Sequence, residues 1–78
     1  QHRYTKLLQL TGYAKELLHS SRRTAKVISP FCAMQPHELT LQKGEYVELL
    51  NDRGHWYRVK NSMGNIGLCP SENVIIVK

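Results

Sequence analysis

Residues 38–45 read ELTLQKGE, residues 55–59 read HWYRV and residues 64–70 read GNIGLCP. Each stretch contains residues that favour β-strands, and the turn-forming clusters at 51–54 and 61–65 separate them. Together with apolar runs before and after, they predict strands at residues 26–28, 45–50, 56–60, 66–69 and 74–77, with a 3₁₀ turn at 70–73. Five short strands at this spacing are typical of a small all-β barrel.

Alternation along these strands predicts which side chains face the core, because neighbouring residues of a strand point to opposite sides. The expected core-facing residues are Val47, Leu49, Val59, Ile66 and Val74. Trp56 and Tyr57 are neighbours directly after a turn, so only one of the two rings can face inward. We expect Trp56 to be exposed.

The leading segment has a different pattern. Its apolar residues recur at helical spacing and predict one short α-helix over residues 4–19, with a stripe formed by Leu7, Leu10, Ala14 and Leu17. We therefore divide the chain into a helical extension with a basic linker, residues 1–24, and a β domain, residues 25–78. A helix of this length is marginal alone. Its leucine face is expected to pack on the β domain, on a second copy of the chain or on another domain.

The formal net charge of +5 lies within residues 1–26, and residues 27–78 are formally neutral. A basic chain can indicate a nucleic-acid partner. Here four of the five net positive charges belong to the extension, so we expect no nucleic-acid partner and no membrane contact. No apolar run reaches the length of a membrane span. A rival hypothesis, in which the basic extension binds acidic membrane or nucleic acid, stays open.

The residues that could carry chemistry are few and scattered. Cys32 and Cys69 form no C-x-x-C pair, which favours free thiols, a reducing cytoplasmic location and a role as small apolar side chains. The four histidines do not have the spacing of metal ligands. No nucleophile and base, paired carboxylates or phosphate-binding glycine loop is recognisable. We expect no enzymatic activity, no metal and no cofactor.

The order and spacing of the strand motifs resemble the Src-homology-3 (SH3) family. The run at 38–45 matches the family pattern E-L-x-(F/L/V)-x-x-G-(D/E), and Trp56 matches the family's groove tryptophan. Residues 67–74 match its closing motif, while only Phe31 keeps the aromatic character of the first-strand hallmark. The resemblance covers residues 25–78 and implies a five-stranded barrel that binds peptides. Residues in and around HWYRV also resemble the SH3 domains of epidermal-growth-factor-receptor pathway-substrate adaptors.

The resemblance also implies a ligand groove. Phe31, Trp56 and Pro70 would form a slot for a proline ring, since SH3 domains bind proline-rich segments in aromatic-lined grooves. Glu38 matches the acidic loop residue that pairs with an arginine beside the proline motif of the ligand. Such a carboxylate can make a bidentate contact with a guanidinium group. The residues Met34 to His37 before it lack further acids, so selection for a basic flank should be weak.

Ser29 and Asn73 stand where two slot-lining tyrosines are expected. Both belong to the candidate ligand-binding residues, but neither supplies a flat apolar wall of tyrosine size. We therefore expect the second proline slot to be missing and ordinary P-x-x-P peptides to bind weakly.

The chain does not begin with Met, and we expect it to be part of a larger cytoplasmic signalling or scaffolding protein. The preferred interpretation is a protein-interaction module whose partner is a protein or peptide, proline-rich or atypical. The alternative is a domain that binds no peptide. In that case the leading helix packs on or near the groove and provides autoinhibition or self-association.

Overall fold

The computed structural model describes residues 22–77. In this range the chain forms, in order, β1 (Thr24–Val27), β2 (Tyr46–Asn51), β3 (Trp56–Lys60), β4 (Ile66–Pro70), a 3₁₀ helix (Ser71–Asn73) and β5 (Val74–Val77). The bounds expected for β3 and β5 are confirmed. β1 begins two residues before the expected start and ends one residue before the expected end, and the bounds of β2 and β4 differ from expectation by one residue at most.

The strands form one antiparallel sheet in the order β4-β3-β2-β1-β5. Both end strands contribute to the same core as the central ones, with Cys69 from β4 and Val74 from β5. The core consists of Ala25, Val27, Leu41, Val47, Leu49, Val59, Cys69 and Val74. The described part of the chain is thus all-β, as expected from the spacing of its strand motifs.

The turn between β3 and β4 is built by its own sequence. Oδ1 of Asn61 accepts the backbone N–H groups of Met63 (3.0 Å) and Asn65 (2.9 Å). Gly64 takes a φ of +86°, a conformation that side chains other than hydrogen disfavour. β3 and β4 consequently pair along their full length.

The connection between β1 and β2, residues 28–45, is called the long loop below. It folds back on itself, because the N–H of Phe31 donates to the carbonyl of Leu41 (2.9 Å) and the N–H of Leu41 donates in return (2.8 Å). Leu41 is buried in the core and Phe31 packs against that core. The long loop is therefore ordered and attached to the barrel rather than free of it.

A second contact fastens the long loop to β4. The N–H of Leu39 donates to the carbonyl of Leu68 (3.0 Å), and the N–H of Leu68 donates to the carbonyl of His37 (2.9 Å). Gly67 permits this approach. A Cβ atom at that position would lie 2.9 Å from Cβ of Leu39 and 3.1 Å from the carbonyl carbon of Glu38.

The prediction that Ile66 faces the core is wrong, since 49% of Ile66 is exposed. The other four predicted core residues are buried: Val47, Leu49, Val59 and Val74. In β4 the buried positions are Gly67 and Cys69, so alternation turns Ile66 outward. The space beside Gly67 is occupied by Leu39 of the long loop, which packs against the core from there.

Both cysteines are free. Cys69 is buried, as expected of a small apolar side chain, and burial raises the pKa of its thiol to about 11. Cys32 is exposed on the long loop, so the expectation that both cysteines act as buried small apolar side chains is wrong for that residue. Residue 32 directly follows Phe31, whose ring packs on the core, and the chain turns outward from there.

The helix expected at residues 4–19 lies outside the described residues and stays a prediction. From residue 22 to residue 77, no helix is long and apolar enough to cross a membrane.

Candidate functional site

Three of the expected groove residues come together at one end of the β3–β4 pair. Trp56 opens β3 and lies directly opposite Pro70, the last residue of β4. The ring of Phe31 meets the Trp56 ring edge-on, with centroids 5.9 Å apart and an interplanar angle of 71°. Trp56 is nevertheless 44% exposed, which confirms the expected direction of its side chain. The result is an indole supported by neighbours and open to solvent.

Local backbone contacts hold Trp56 in this place. The N–H of Ser71, at the start of the 3₁₀ helix, donates to the carbonyl of His55 (2.9 Å). This bond ties the residue before Trp56 to the end of β4. Tyr57 faces the other way, half-buried against the core. The pair of adjacent aromatic residues thus divides between the groove and the core.

Ser29 and Asn73 also come together, and hydrogen bonds join the two segments that carry them. Nδ2 of Asn73 donates to the backbone carbonyls of Ser29 (3.2 Å) and Pro30 (3.1 Å). The backbone carbonyl of Asn73 in turn accepts N–H groups from Ile28 (2.8 Å) and Ser29 (3.3 Å). The Asn73 amide is therefore engaged in holding the first turn of the long loop. This end of the groove contains hydrogen-bonding groups where tyrosine rings would form a slot.

Glu38 does not stand free on the long loop. Its Oε1 accepts the backbone N–H groups of Met34 (2.7 Å) and Gln35 (3.2 Å). The backbone N–H of Glu38 also donates to the carbonyl of Gln35 (3.0 Å). One carboxylate oxygen thus closes the tip of the long loop, a role that the sequence interpretation did not foresee.

A cavity of about 280 Å³ lies beside the groove and is called the β3–β4 pocket below. Its lining residues in the described part of the chain are His37, Arg58, Ile66, Gly67 and Leu68. Sequence reasoning missed this site. Alternation alone places Arg58 on the same side of β3 as Trp56, and that signal was available. The participation of His37 depends on the contact between the long loop and β4, for which the sequence carries no local signal.

The loop between β2 and β3 contributes an ion pair. Nη1 and Nη2 of Arg23 donate to Oδ1 (3.1 Å) and Oδ2 (2.7 Å) of Asp52. These hydrogen bonds hold the pKa of the Asp52 carboxyl below its usual value. The single acid of this loop is therefore already paired. Within residues 22–77, no group of three or more His, Cys, Asp or Glu could hold a metal ion.

Comparison with known proteins agrees with this architecture. The family model described as SH3 domain matches residues 26–71. The chain is 39% identical over 46 residues to tyrosine-protein kinase Btk of Drosophila melanogaster, covering 58% of this chain and 6% of the kinase. It is 33% identical over 57 residues to human epidermal growth factor receptor kinase substrate 8, covering 73% of this chain and 7% of that protein.

The fold is shared with a solved structure, the C-terminal SH3 domain of myosin IB from Entamoeba histolytica bound to a peptide. The TM-score is 0.69 at 22% identity, over 76% of this chain and 98% of that one. The chain spans less than a tenth of the length of the two curated relatives named above. The residues matched by the family model contain the second half of β1, all of β2, β3 and β4, and the expected groove residues Phe31, Trp56 and Pro70. The chain belongs to the SH3 domain family, whose members are protein-interaction modules.

Proposed function

We propose that the domain binds an extended segment of a partner protein across Phe31, Trp56 and Pro70. The observation that carries the proposal is the half-exposed Trp56 ring, supported by Phe31 and paired across the strands with Pro70. An indole combines a flat apolar face with an N–H donor. A polyproline-II segment presents flat rings and regularly spaced carbonyls at a low cost in chain entropy.

The relatives support this proposal. SH3 domains bind proline-rich segments in aromatic-lined grooves, and the myosin IB domain of the same fold was solved with a peptide bound. We propose that the parent protein acts in cytoplasmic signalling or scaffolding. The relatives include a tyrosine-protein kinase and a receptor kinase substrate.

The groove favours a ligand that needs only one proline slot. At the other end, Asn73 stands where the resemblance leads us to expect an aromatic wall, and its amide is engaged with the carbonyls of Ser29 and Pro30. Since one Glu38 oxygen holds the loop tip, the carboxylate is less available to a basic ligand residue. Ordinary P-x-x-P peptides with an arginine flank should therefore bind weakly.

The test is a titration of the full chain, labelled with ¹⁵N, with peptides selected from an array of extended and proline-containing sequences. Trp56→Ala should abolish peptide binding while circular dichroism shows an unchanged fold. Ile75→Ala is the matched control, because Ile75 is also a large exposed apolar residue (54%) and lies on β5, a strand that contains none of Phe31, Trp56 and Pro70. Unchanged affinity in Trp56→Ala would place the partner surface elsewhere.

A further inference from the structure

We infer that the β3–β4 pocket is a second subsite, which receives an anionic side chain of the bound segment, a carboxylate or a phosphate. The inference rests on the proposed function, because it concerns another residue of the same ligand. It reverses the charge preference that Glu38 implied in the sequence.

The pocket lies within reach of a segment bound at Trp56. Arg58 is two residues along β3 from Trp56 and faces the same side, opposite Leu68 of β4. Two residues along a strand span about 6.6–6.8 Å. A polyproline-II segment advances about 3.1 Å per residue. A ligand residue two positions from the one on Trp56 can therefore enter the pocket.

The lining combines an anion-binding group with apolar walls. In residues 22–77, the Arg58 guanidinium has neither a side-chain hydrogen bond nor an ion pair, while His37 faces the same pocket from the long loop. A guanidinium binds carboxylate and phosphate through two parallel hydrogen bonds. Ile66 and Leu68 can contact the stem that carries the charge. The volume of about 280 Å³ would admit a whole side chain, since a water molecule in the liquid occupies only about 30 Å³.

Two acids on the neighbouring loops, Glu38 and Asp52, already bind other groups. No lining residue of the pocket in the described range is acidic. Glu38 accepts two backbone N–H groups at the loop tip, and Asp52 is paired with Arg23. A lysine or arginine of the ligand would meet Arg58 in a pocket whose lining, within residues 22–77, contains no acid. Within residues 22–77, an anion bound to the Arg58 guanidinium would displace no other side chain from it.

The first experiment tests the pocket without any peptide, using three small probes: 3-phenylpropionate, phenyl phosphate and the neutral 3-phenylpropionamide. In ¹⁵N-edited spectra of the full chain, both anions should give saturable shifts at the amides of Gly67 and Leu68, and the neutral probe should not. Arg58→Gln should remove this saturation. Lys43→Gln is the control, because it deletes one positive charge from a residue that does not line the pocket.

The inference is overturned if the neutral probe binds as well as the anions, or if Lys43→Gln and Arg58→Gln weaken anion binding equally. The first result would mean an apolar site. The second would mean general attraction to a basic surface.

The second experiment uses a peptide whose binding depends on Trp56, with the residue two positions along varied among Glu, phosphoserine, Gln and Lys. The acidic versions should bind about tenfold more tightly than the Gln version, as expected of a charge-assisted bond. Arg58→Gln should remove that difference. Comparing Glu with phosphoserine identifies which anion is preferred.

The two hypotheses fail separately. Equal affinity of the Glu, Gln and Lys peptides, with binding still dependent on Trp56, rejects the anionic subsite and keeps the proposed groove. Peptide binding that survives Trp56→Ala rejects the groove itself.

Discussion

Replacing Gly67 by alanine should destabilise the domain and loosen the attachment of the long loop. The added Cβ would lie 2.9 Å from Cβ of Leu39, 3.0 Å from its backbone nitrogen and 3.1 Å from the carbonyl carbon of Glu38. Carbon atoms in ordinary contact are about 3.5–4.0 Å apart. Three neighbours would have to move by roughly half an ångström, and two of them are backbone atoms.

The size of the effect follows from two opposing contributions. Overpacking in a well-packed interior costs about 1–3 kcal/mol. Alanine also lowers the conformational entropy of the unfolded chain, and this offsets about 0.4–1 kcal/mol of the overpacking cost. The midpoints of the two ranges, about 2 and about 0.7 kcal/mol, give a net fall in the free energy of unfolding of about 1.3 kcal/mol. For a domain of this size, that corresponds to a decrease in Tm of roughly 5–10 °C.

Urea unfolding monitored by tryptophan fluorescence measures this effect, since Trp56 is the single tryptophan of the chain. The decisive comparison is the double variant with Leu39→Ala. Alanine at 39 keeps the Cβ and the backbone, so shortening that side chain should not relieve the contact, and the two destabilisations should add. If the double variant loses clearly less free energy of unfolding than the sum of the two single losses, the flexible end of Leu39 causes the crowding. A Gly67→Ala variant as stable as the parent chain would refute the close approach itself.

Two further predictions concern the core. Val59→Ala should lower the free energy of unfolding by about 1–3 kcal/mol through lost methyl burial. Ile66→Ala, on the exposed side of β4, should change the free energy of unfolding by less than about 0.5 kcal/mol. Equal effects of the two substitutions in urea unfolding would mean that the two faces are assigned wrongly. Burial raises the pKa of the Cys69 thiol from 9.0 to about 11, so the thiol of the unfolded chain loses its proton at lower pH than the thiol of the folded chain. The stability that depends on the protonated thiol is therefore complete below pH 9 and is lost between pH 9 and 11, at roughly 1.4 kcal/mol per pH unit. Cys69→Ala should flatten this alkaline decrease, and in the native chain at pH 8 a thiol reagent should modify Cys32 but not Cys69; rapid modification of both would contradict the buried thiol.

The sequence alone determined the strands and one side of the groove. Alternation and turn residues located β3 and β5 at their observed bounds. The same alternation predicts an exposed Trp56 beside an inward-facing Tyr57, and the structure has both side chains in these places. These features depend on residues one or two positions apart. Such relations are set by the geometry of the strand itself.

Contacts between distant segments determine the direction of Ile66 and the hydrogen-bond partners of Asn73 and Arg23. Ile66 turns outward because Leu39 of the long loop fills the space beside Gly67. The Asn73 side chain donates to the carbonyl of Ser29, 44 residues earlier in the chain. Arg23 pairs with Asp52, 29 residues later. Local periodicity restricts a side chain to one of two faces. Which face is buried, and which hydrogen bonds its polar groups find there, depends on segments that the chain brings together only when it folds.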